Sequence, residues 1–431
     1  MRWRFGLGLL LVALSAAGFA VAFRWSLAAV LRRVAGVSDV VSAMRGAPVW
    51  ARLLLPAIGG LLAGTLGLVV ARSSTGAGVG DVMEAVVLGR VHLKMRSTLL
   101  KSAASWLAIV FGGSIGREGP LIQFGGAAGK LVSDRLGLPL ENARLLIAAG
   151  TAAGFAAAYN TPFAAVLFVL EVVTGMVVLD VILPALVATV IAATVLRGII
   201  GDGPIYGQRT FHLQSTVELL AFAGLGLCAA FGAQGFMRLL ALGERMFKRS
   251  WLSLPWRSGV GGLLAGCVLV ALPEAAGNGY ESLNAVLDGR FSIGLVAFLL
   301  VGKCVATTAS VSSGSPGGVF TPILLVGGTI GFLYASALHQ LGFAAGMTGG
   351  YALVGMAAVT GATTHAPLMA AVMVFELSGD YAIALPLVLA TAVATMVSRR
   401  MGRDSIYTSE LRARGIEWEV SLEGRRSGRP G

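Results

Sequence analysis

The sequence predicts an all-α, polytopic membrane protein built from tilted and broken helices, and its composition is the first reason. Of its 431 residues, 56% are hydrophobic, 13% are charged and 60 are glycine. A chain with so few polar residues cannot cover the surface of a soluble globular enzyme, and it is too hydrophobic to be disordered. The glycines follow no three-residue period, which excludes a collagen-like fibre. A multispanning membrane protein remains.

The second reason is the pattern of the apolar stretches. They are nearly continuous in Ala, Leu and Val, as at 145–170, and do not alternate with polar residues as outer-membrane strands do. Several are shorter than the roughly 20 residues that a spanning helix requires. Most contain glycine or proline. Such interrupted helices are tolerated in membranes where the freed backbone is buried in protein or lines a cavity.

The third reason is an internal repeat. In the first block, residues recur 202 positions later: Pro120, Gly125, Gly126 and Gly129 match Pro322, Gly327, Gly328 and Gly331. In the second block they recur 205 positions later: Gly150, Ala152, Ala153, Pro162, Ala165, Val169 and Glu171 match Gly355, Ala357, Ala358, Pro367, Ala370, Val374 and Glu376. They indicate two homologous halves, 50–200 and 217–397, within one membrane domain that covers 1–431. Such halves are typical of secondary transporters and related channels, whose substrate site lies between them near the midplane.

Basic residues set the expected orientation. The formal net charge is +12, but no compact basic domain with interleaved aromatic residues is present, so we expect no nucleic-acid partner. The basic residues cluster instead at 90–101, at 238–257 and from Arg399 onwards, and the positive-inside rule assigns these clusters to the cytoplasm. Both termini should then be cytoplasmic. The tail, 398–431, is too short for a folded regulatory domain.

The N-terminal segment allows two interpretations. Basic Arg2 and Arg4 precede an apolar run at 5–23, and the small residues at 20–22 could form the cleavage site of a signal peptide. We favour a retained first helix, because the first apolar segment of a multispanning protein serves as its own signal.

Residues 112–120, GGSIGREGP, are the most informative segment. Glycines let the backbone approach a ligand closely, and Pro120 suits the first turn of a helix. The free N–H groups at such a helix start attract an anion. Arg117 and Glu118 are costly in so apolar a chain unless they are functional or paired. The alternative to a functional site is an Arg117–Glu118 ion pair at a membrane edge.

Two further segments have the same character. Residues 313–322, SGSPGGVFTP, are the repeat-mate of 112–120, and residues 75–80, TGAGVG, follow an apolar stretch. Three helix N-termini that converge near Gly78, Gly119 and Gly318 would bind an anion without a full positive charge. Such moderate binding suits a permeating ion, which must also leave.

With GREGP at 116–120, GGVFTP at 317–322 and the late Tyr407, the chain resembles the CLC family of chloride channels and transporters over about residues 50–410. THAP at 364–367 and RDSIY at 403–407 are most similar to its bacterial ClcB-type branch. The resemblance implies a CLC-like fold with two inverted-topology repeats. It also implies a homodimer in a bacterial inner membrane, with a separate anion pathway in each subunit.

The resemblance also implies roles for single residues. Glu118 would be the gate, because its carboxylate would compete with the anion for the pathway. The amides around Gly318 to Thr321 and the hydroxyl of Tyr407 would hold the central anion. The complete anion-binding set that we expect is Ala77, Gly78, Arg117, Gly119, Gly318, Val319, Phe320, Thr321 and Tyr407.

Two positions depart from the family pattern. Ala77 stands where the family usually has a serine for chloride or a proline for nitrate, so a hydroxyl ligand is missing. Val172 stands where the coupled exchangers of the family often carry an inner proton-relay glutamate, and valine cannot carry a proton. Glu171 is one residue away, but one residue turns a helix by about 100°, onto a different face. Strict proton coupling is therefore not expected.

The expected function is chloride transport, channel-like or weakly proton-coupled, with chloride as a ligand and no cofactor. The alternative is a proton-coupled antiporter for chloride, fluoride or nitrate on the same fold. A different class would be an intramembrane enzyme that uses Ser114 or Glu118. Residues 112–116 match GxSxG, but that motif requires a strand before the serine, and none is indicated. The three cysteines lie far apart without a CxxC spacing, so no metal site is expected.

Three polar residues in apolar stretches have two interpretations each. Asp180 and Lys303 could belong to the pathway, but contacts at helix ends or between helices are favoured. His365 replaces Asn160 of the other repeat, and a structural hydrogen bond is favoured over a pH sensor.

Overall fold

The protein is almost entirely helical in a computed structural model that describes 2–71, 78–89, 93–201, 203, 205–207, 209, 211, 213, 215–343, 346–421 and 424–428. The helices are α1 (Arg2–Ala35), α2 (Val40–Gly46), α3 (Val49–Ala71), α4 (Val79–Leu88), α5 (Met95–Val110), α6 (Glu118–Arg135), α7 (Leu140–Tyr159), α8 (Pro162–Phe168), α9 (Leu179–Ile200), α10 (Glu218–Arg249), α11 (Leu254–Ala271), α12 (Tyr280–Leu287), α13 (Ile293–Ser312), α14 (Phe320–Gln340), α15 (Thr348–Thr364), α16 (Pro367–Ser378), α17 (Ala384–Met401) and α18 (Ile406–Ala413). A π-helical turn, Val169–Thr174, extends α8, and short 3₁₀ turns lie at Pro273–Ala275 and Tyr381–Ile383. Strands β1 (Glu417–Ser421) and β2 (Gly424–Gly428) pair antiparallel in the tail.

The lengths of the helices confirm the predicted membrane class. Eight helical stretches in the described ranges are long and apolar enough to cross a membrane, whereas 162–174 and 367–378 are apolar but short. Short helices with free ends are possible at membrane depth only because protein surrounds them. Helices α8 and α16 thus have the short length and apolar character that were predicted for half-crossing elements.

The internal repeat corresponds to two equivalent helix contacts. A Cβ atom added to Gly125 in α6 would overlap the backbone of Gly150 in α7, and one added to Gly327 in α14 would overlap that of Gly355 in α15. Small residues allow helix backbones to approach this closely in a membrane. The repeated glycines are thus packing positions in both halves, while the boundaries 50–200 and 217–397 stay a prediction.

The N-terminal segment has a packed place in this fold. One face of α1, with Leu9, Ala13 and Ala17, is buried in a cluster with Leu146 of α7 and Ala188 of α9. A retained first helix, the interpretation favoured from the sequence, requires such contacts.

Two repeated glutamates join the halves through reciprocal helix caps. Glu171, in the π-helical turn after α8, accepts hydrogen bonds from the N–H groups of Leu368 (3.3 Å) and Met369 (2.7 Å) at the start of α16. Glu376, near the end of α16, accepts them from Phe163 (3.1 Å) and Ala164 (2.8 Å) at the start of α8. Each short helix thus satisfies the free donors of the other.

We expect Glu171→Ala and Glu376→Ala each to destabilise the protein by about 1–3 kcal/mol, since each leaves two amide donors at membrane depth without an acceptor. Thermal unfolding in detergent measures the effect. Glu244→Ala is the control, because the one ion-pair partner of Glu244 among the described residues is the exposed Lys248 on the same helix. Unchanged melting of the Glu171 and Glu376 variants would contradict the capping role.

Candidate functional site

Two glycine loops meet at the centre of the molecule and start a helix each. Gly116 and Gly318 form an isolated antiparallel bridge, with N–H···O distances of 2.6 and 2.9 Å. Directly after it, α6 begins at Glu118 and α14 begins at Phe320. The sequence predicted these helix starts from Pro120 and Pro322. The bridge fixes the two N-termini against one another.

The carboxylate of Glu118 lies on the N-terminus of the opposite helix. Its Oε1 accepts hydrogen bonds from the N–H groups of Phe320 (2.7 Å) and Thr321 (3.1 Å), and its Oε2 contacts the Thr321 hydroxyl at 3.0 Å. The side chain is 2% exposed. A carboxylate is itself an anion, so these donors favour negative charge at this place.

The Glu118 carboxylate leaves no space for a side chain at either bridging residue, so both must be glycine. A Cβ atom at Gly116 or at Gly318 would overlap the carboxyl group of Glu118. A Cβ atom at Gly119 would make only ordinary van der Waals contact with Gly318. The glycine pattern of the two loops therefore makes room for a side chain that comes from one of them.

Tyr159 is a residue of this site that the sequence analysis did not identify. Its hydroxyl is 2.9 Å from the Thr321 hydroxyl, and its ring packs on Phe320 with centroids 5.5 Å apart. Thr321 is thereby held between Glu118 and Tyr159. Tyr159 ends α7 directly before Asn160, and its partner Thr321 is 162 residues away, so no local pattern indicated the contact.

A cavity of about 850 Å³ opens beside the carboxylate. Of the expected anion-binding residues, Gly78, Gly119, Gly318, Val319, Phe320 and Tyr407 line it, together with Glu118. Helix α4 starts at Val79, directly after Gly78, so three helix N-termini reach one cavity as predicted. Tyr407 is 8% exposed, and its hydroxyl has no hydrogen-bond partner among the described residues, which leaves it available at the cavity wall.

The same cavity gathers basic residues from the three clusters of the sequence. Its lining includes Lys101, Arg245, Lys248, Arg412 and Arg414. The carboxylates Glu244, Asp404 and Glu410 also line it, and they pair with Lys248, Arg412 and Arg414. Arg245 has no ion-pair partner in the described parts of the chain. Five basic residues of the described lining thus face four carboxylates, Glu118 included, and this small positive excess favours anions in the cavity.

Three expected anion-binding residues are not among the described residues that line this cavity: Ala77, Arg117 and Thr321. Thr321 instead holds the Glu118 carboxylate beside it. Ala77 lies outside the described residues. Arg117 occupies the N-cap position of α6 without a side-chain cap hydrogen bond, and its side chain is absent from the cavity lining and interacts electrostatically with Glu281 and Tyr206. The alternative Arg117–Glu118 ion pair is not formed between these two described residues. An anion-binding role for Arg117 and for Ala77 stays a prediction.

The position of the missing proton-relay group is buried and holds an apolar side chain. Val172 is 1% exposed within the π-helical turn, while the adjacent Glu171 caps α16. The carboxylate of Glu171 is thus engaged in hydrogen bonds that join the two halves.

The remaining polar residues of the sequence analysis do not line the cavity. Lys303 is completely buried, and its Nζ donates to the carbonyls of Ala275 (3.0 Å) and Gly277 (2.8 Å). His365 and its repeat-mate Asn160 both end a helix in the left-handed conformation. Asp180 lies in the exposed first turn of α9.

Ser114 does not belong to a hydrolase site. Its hydroxyl contacts that of Thr307 at 2.9 Å, and it follows helix α5 rather than a strand.

Broken membrane helices whose N-termini meet around a carboxylate beside a basic cavity define a protein with an ion pathway. A sequence model of the family described as "Voltage gated chloride channel" matches residues 59–399. The chain belongs to this family, the CLC family, which consists of channels and transporters and not of enzymes.

Curated relatives match nearly the whole chain. A putative chloride channel protein described as ClcB-like, from Ralstonia nicotianae, is 38% identical over 397 residues, which are 91% of this chain and 92% of the relative. The voltage-gated ClC-type chloride channel ClcB of Citrobacter koseri is 34% identical over 407 residues, covering 92% and 95%. The predicted similarity to the ClcB-type branch is confirmed.

Solved structures match with the same completeness. A slow cyanobacterial Cl⁻/H⁺ antiporter is 25% identical, with a TM-score of 0.85, and the match covers 95% of this chain and 98% of that one. A CLC-type fluoride/proton antiporter is 24% identical, with a TM-score of 0.76 and coverage of 94% and 96%. The second likeness is one of fold alone.

Proposed function

We propose that this protein carries chloride across a bacterial inner membrane and that the Glu118 carboxylate gates the pathway. The proposal is supported most directly by the hydrogen bonds that this carboxylate accepts from the backbone N–H groups of Phe320 and Thr321. These donors are the ones that the resemblance implies for the central anion. A tethered carboxylate and a free chloride therefore compete for the same N–H groups.

The cavity chemistry supplies the rest of the mechanism. Anions collect in the cavity and move towards the helix N-termini of α4, α6 and α14. Partial positive charge from helix N-termini binds an anion without trapping it. Protonation of Glu118 removes its negative charge, weakens its hydrogen bonds to α14 and lets an anion take its place.

Transport is channel-like or weakly proton-coupled in this proposal, because Val172 offers no proton carrier. The second candidate, a proton-coupled antiporter for chloride, fluoride or nitrate, is favoured by the likeness to a Cl⁻/H⁺ antiporter. The two candidates share the anion pathway and differ in whether protons move with fixed stoichiometry.

Assembly and orientation belong to the same proposal. We place both termini in the cytoplasm, since the three basic clusters contribute to one cavity. Contact with lipid and a homodimer are expected, and large apolar side chains on four helices expose a surface for them. Examples are Phe163 of α8, Leu183 of α9, Leu368 of α16 and Leu385 of α17.

The purified protein should make vesicles permeable to chloride and not to potassium. We expect vesicles loaded with potassium chloride and diluted into an impermeant-anion salt to release chloride only after valinomycin lets potassium follow. A chloride electrode and a potassium electrode measure the two fluxes, and protein-free vesicles are the control. Potassium release with chloride retained would overturn the proposed function.

A further inference from the structure

One arginine joins the helix that carries Tyr407 to the helix that begins at the first glycine turn. Arg414 follows α18 directly, and its Nη1 donates to Asp81 Oδ1 (2.9 Å) and Glu84 Oε1 (3.1 Å) of α4. Its Nη2 contacts Glu410 of α18. The donors of one planar guanidinium thus reach three carboxylates on two elements.

Asp81 connects this arginine to α6, the helix that begins at Glu118. Asp81 also accepts from Lys101 Nζ of α5 (3.3 Å) and from Gln123 Nε2 of α6 (3.1 Å). A single connected network therefore holds four helices whose ends or side chains line the cavity.

The charges of the network explain its cohesion. Three carboxylates surround two cations, Lys101 and Arg414. Burial opposes the charge of Arg414, but Glu410, Asp81 and Glu84 outweigh it and raise the pKa of the guanidinium above its ordinary value. Charge-assisted hydrogen bonds of this kind are stronger than neutral ones and fix geometry.

We propose that Arg414 is a positioning residue for the anion site: it sets the place of Tyr407 and of the Gly78–Val79 amides relative to one another. The inference rests on the proposed function, because the site must bind an anion for its geometry to matter. Tyr407 lies about two helical turns before Arg414, and α18 is only eight residues long, so a contact at its end also fixes its beginning.

The test compares Arg414→Gln with Arg412→Gln. Both arginines line the cavity, so each change removes one positive charge there, but Arg412 pairs with Asp404 (2.9 Å) and not with α4. Chloride binding to the purified protein is measured by titration calorimetry. We expect Arg414→Gln to weaken chloride binding by roughly threefold to tenfold, the size of a coupling through contiguous contacts. Arg412→Gln should weaken chloride binding only by the contribution of the lost charge, and clearly less than Arg414→Gln does.

Two further variants separate positioning from stability. Arg414→Lys keeps the charge but cannot reach all three carboxylates, so its affinity for chloride should lie between those of the wild type and Arg414→Gln. The lysine variant also replaces the glutamine variant in the test if the latter does not fold. Tyr407→Phe combined with the Arg414 change should weaken binding less than the sum of the single effects, since one acts through the other.

The possible results are distinct. Unchanged chloride affinity in a folded Arg414 variant with a lowered melting temperature would show a structural role only and overturn the inference. Equal weakening by Arg412→Gln would assign the effect to lost charge and overturn it as well. Absence of chloride binding in the wild-type protein would instead refute the proposed function.

Discussion

Glu118→Gln should carry chloride at neutral external pH faster than the wild-type protein, and it should not need acid. In the wild type, the ionised carboxylate occupies the amides of Phe320 and Thr321. The glutamine side chain is similar in size but neutral, so it loses the charge-assisted part of these bonds. Hydrogen bonds to charged groups contribute about 1.5–3 kcal/mol. Their loss lowers the equilibrium constant for binding of the residue-118 side chain to the α14 amides by roughly tenfold to hundredfold.

The direction of the pH response follows from the same contact. Protonation neutralises the wild-type carboxylate, so external acid should raise wild-type flux towards that of the glutamine variant. Glu118→Ala should likewise conduct at both pH values, and it leaves space for an additional anion. Chloride flux from vesicles at neutral and at acidic external pH measures all three proteins.

Glu244→Gln is the matched control for these substitutions. Glu244 lines the same cavity but pairs with Lys248, so Glu244→Gln should keep the wild-type acid response. If folded Glu118→Gln keeps that response too, Glu118 is not the gate. A purely structural Glu118 predicts misfolded or inactive protein for both substitutions.

The class of fold and the start of each central helix could be predicted because their signals are local. Glycines followed by Pro120 and Pro322 mark helix N-termini within a few residues, and α6 and α14 begin where those prolines indicate. The repeated glycines at 125 and 150 also had a local signature, although their use as close helix contacts emerged only from the packing.

Contacts between distant segments could not be predicted in the same way. Glu118 and Phe320 are 202 residues apart, and sequence reasoning assigned them separately to gate and anion site without the hydrogen bond between them. Arg414 and Asp81 are 333 residues apart. The tail arginine resembled any other basic residue of a cytoplasmic cluster, because only the fold brings it to α4.

A chloride gradient should drive little uphill proton movement through the wild-type protein. Val172 is 1% exposed and cannot bind a proton, and the neighbouring Glu171 is engaged with the N–H groups of Leu368 and Met369. The cavity carboxylates other than Glu118 are paired with basic residues. A channel-like pathway with a small proton leak is therefore expected, with proton uptake far below chloride flux.

Proton uptake is recorded in weakly buffered vesicles while chloride runs down its gradient, with Glu118→Gln as the reference without a titrating gate. Val172→Glu adds a carboxylate at the vacant relay position, and Val172→Gln is its uncharged control. Increased coupling in Val172→Glu alone would show that this position limits proton movement. Robust uphill proton pumping at fixed stoichiometry by the wild type would instead overturn the prediction and favour the antiporter. Glu410→Gln would then test the cavity carboxylate nearest in sequence to Tyr407, since a carrier there would lose proton transport and keep the chloride pathway.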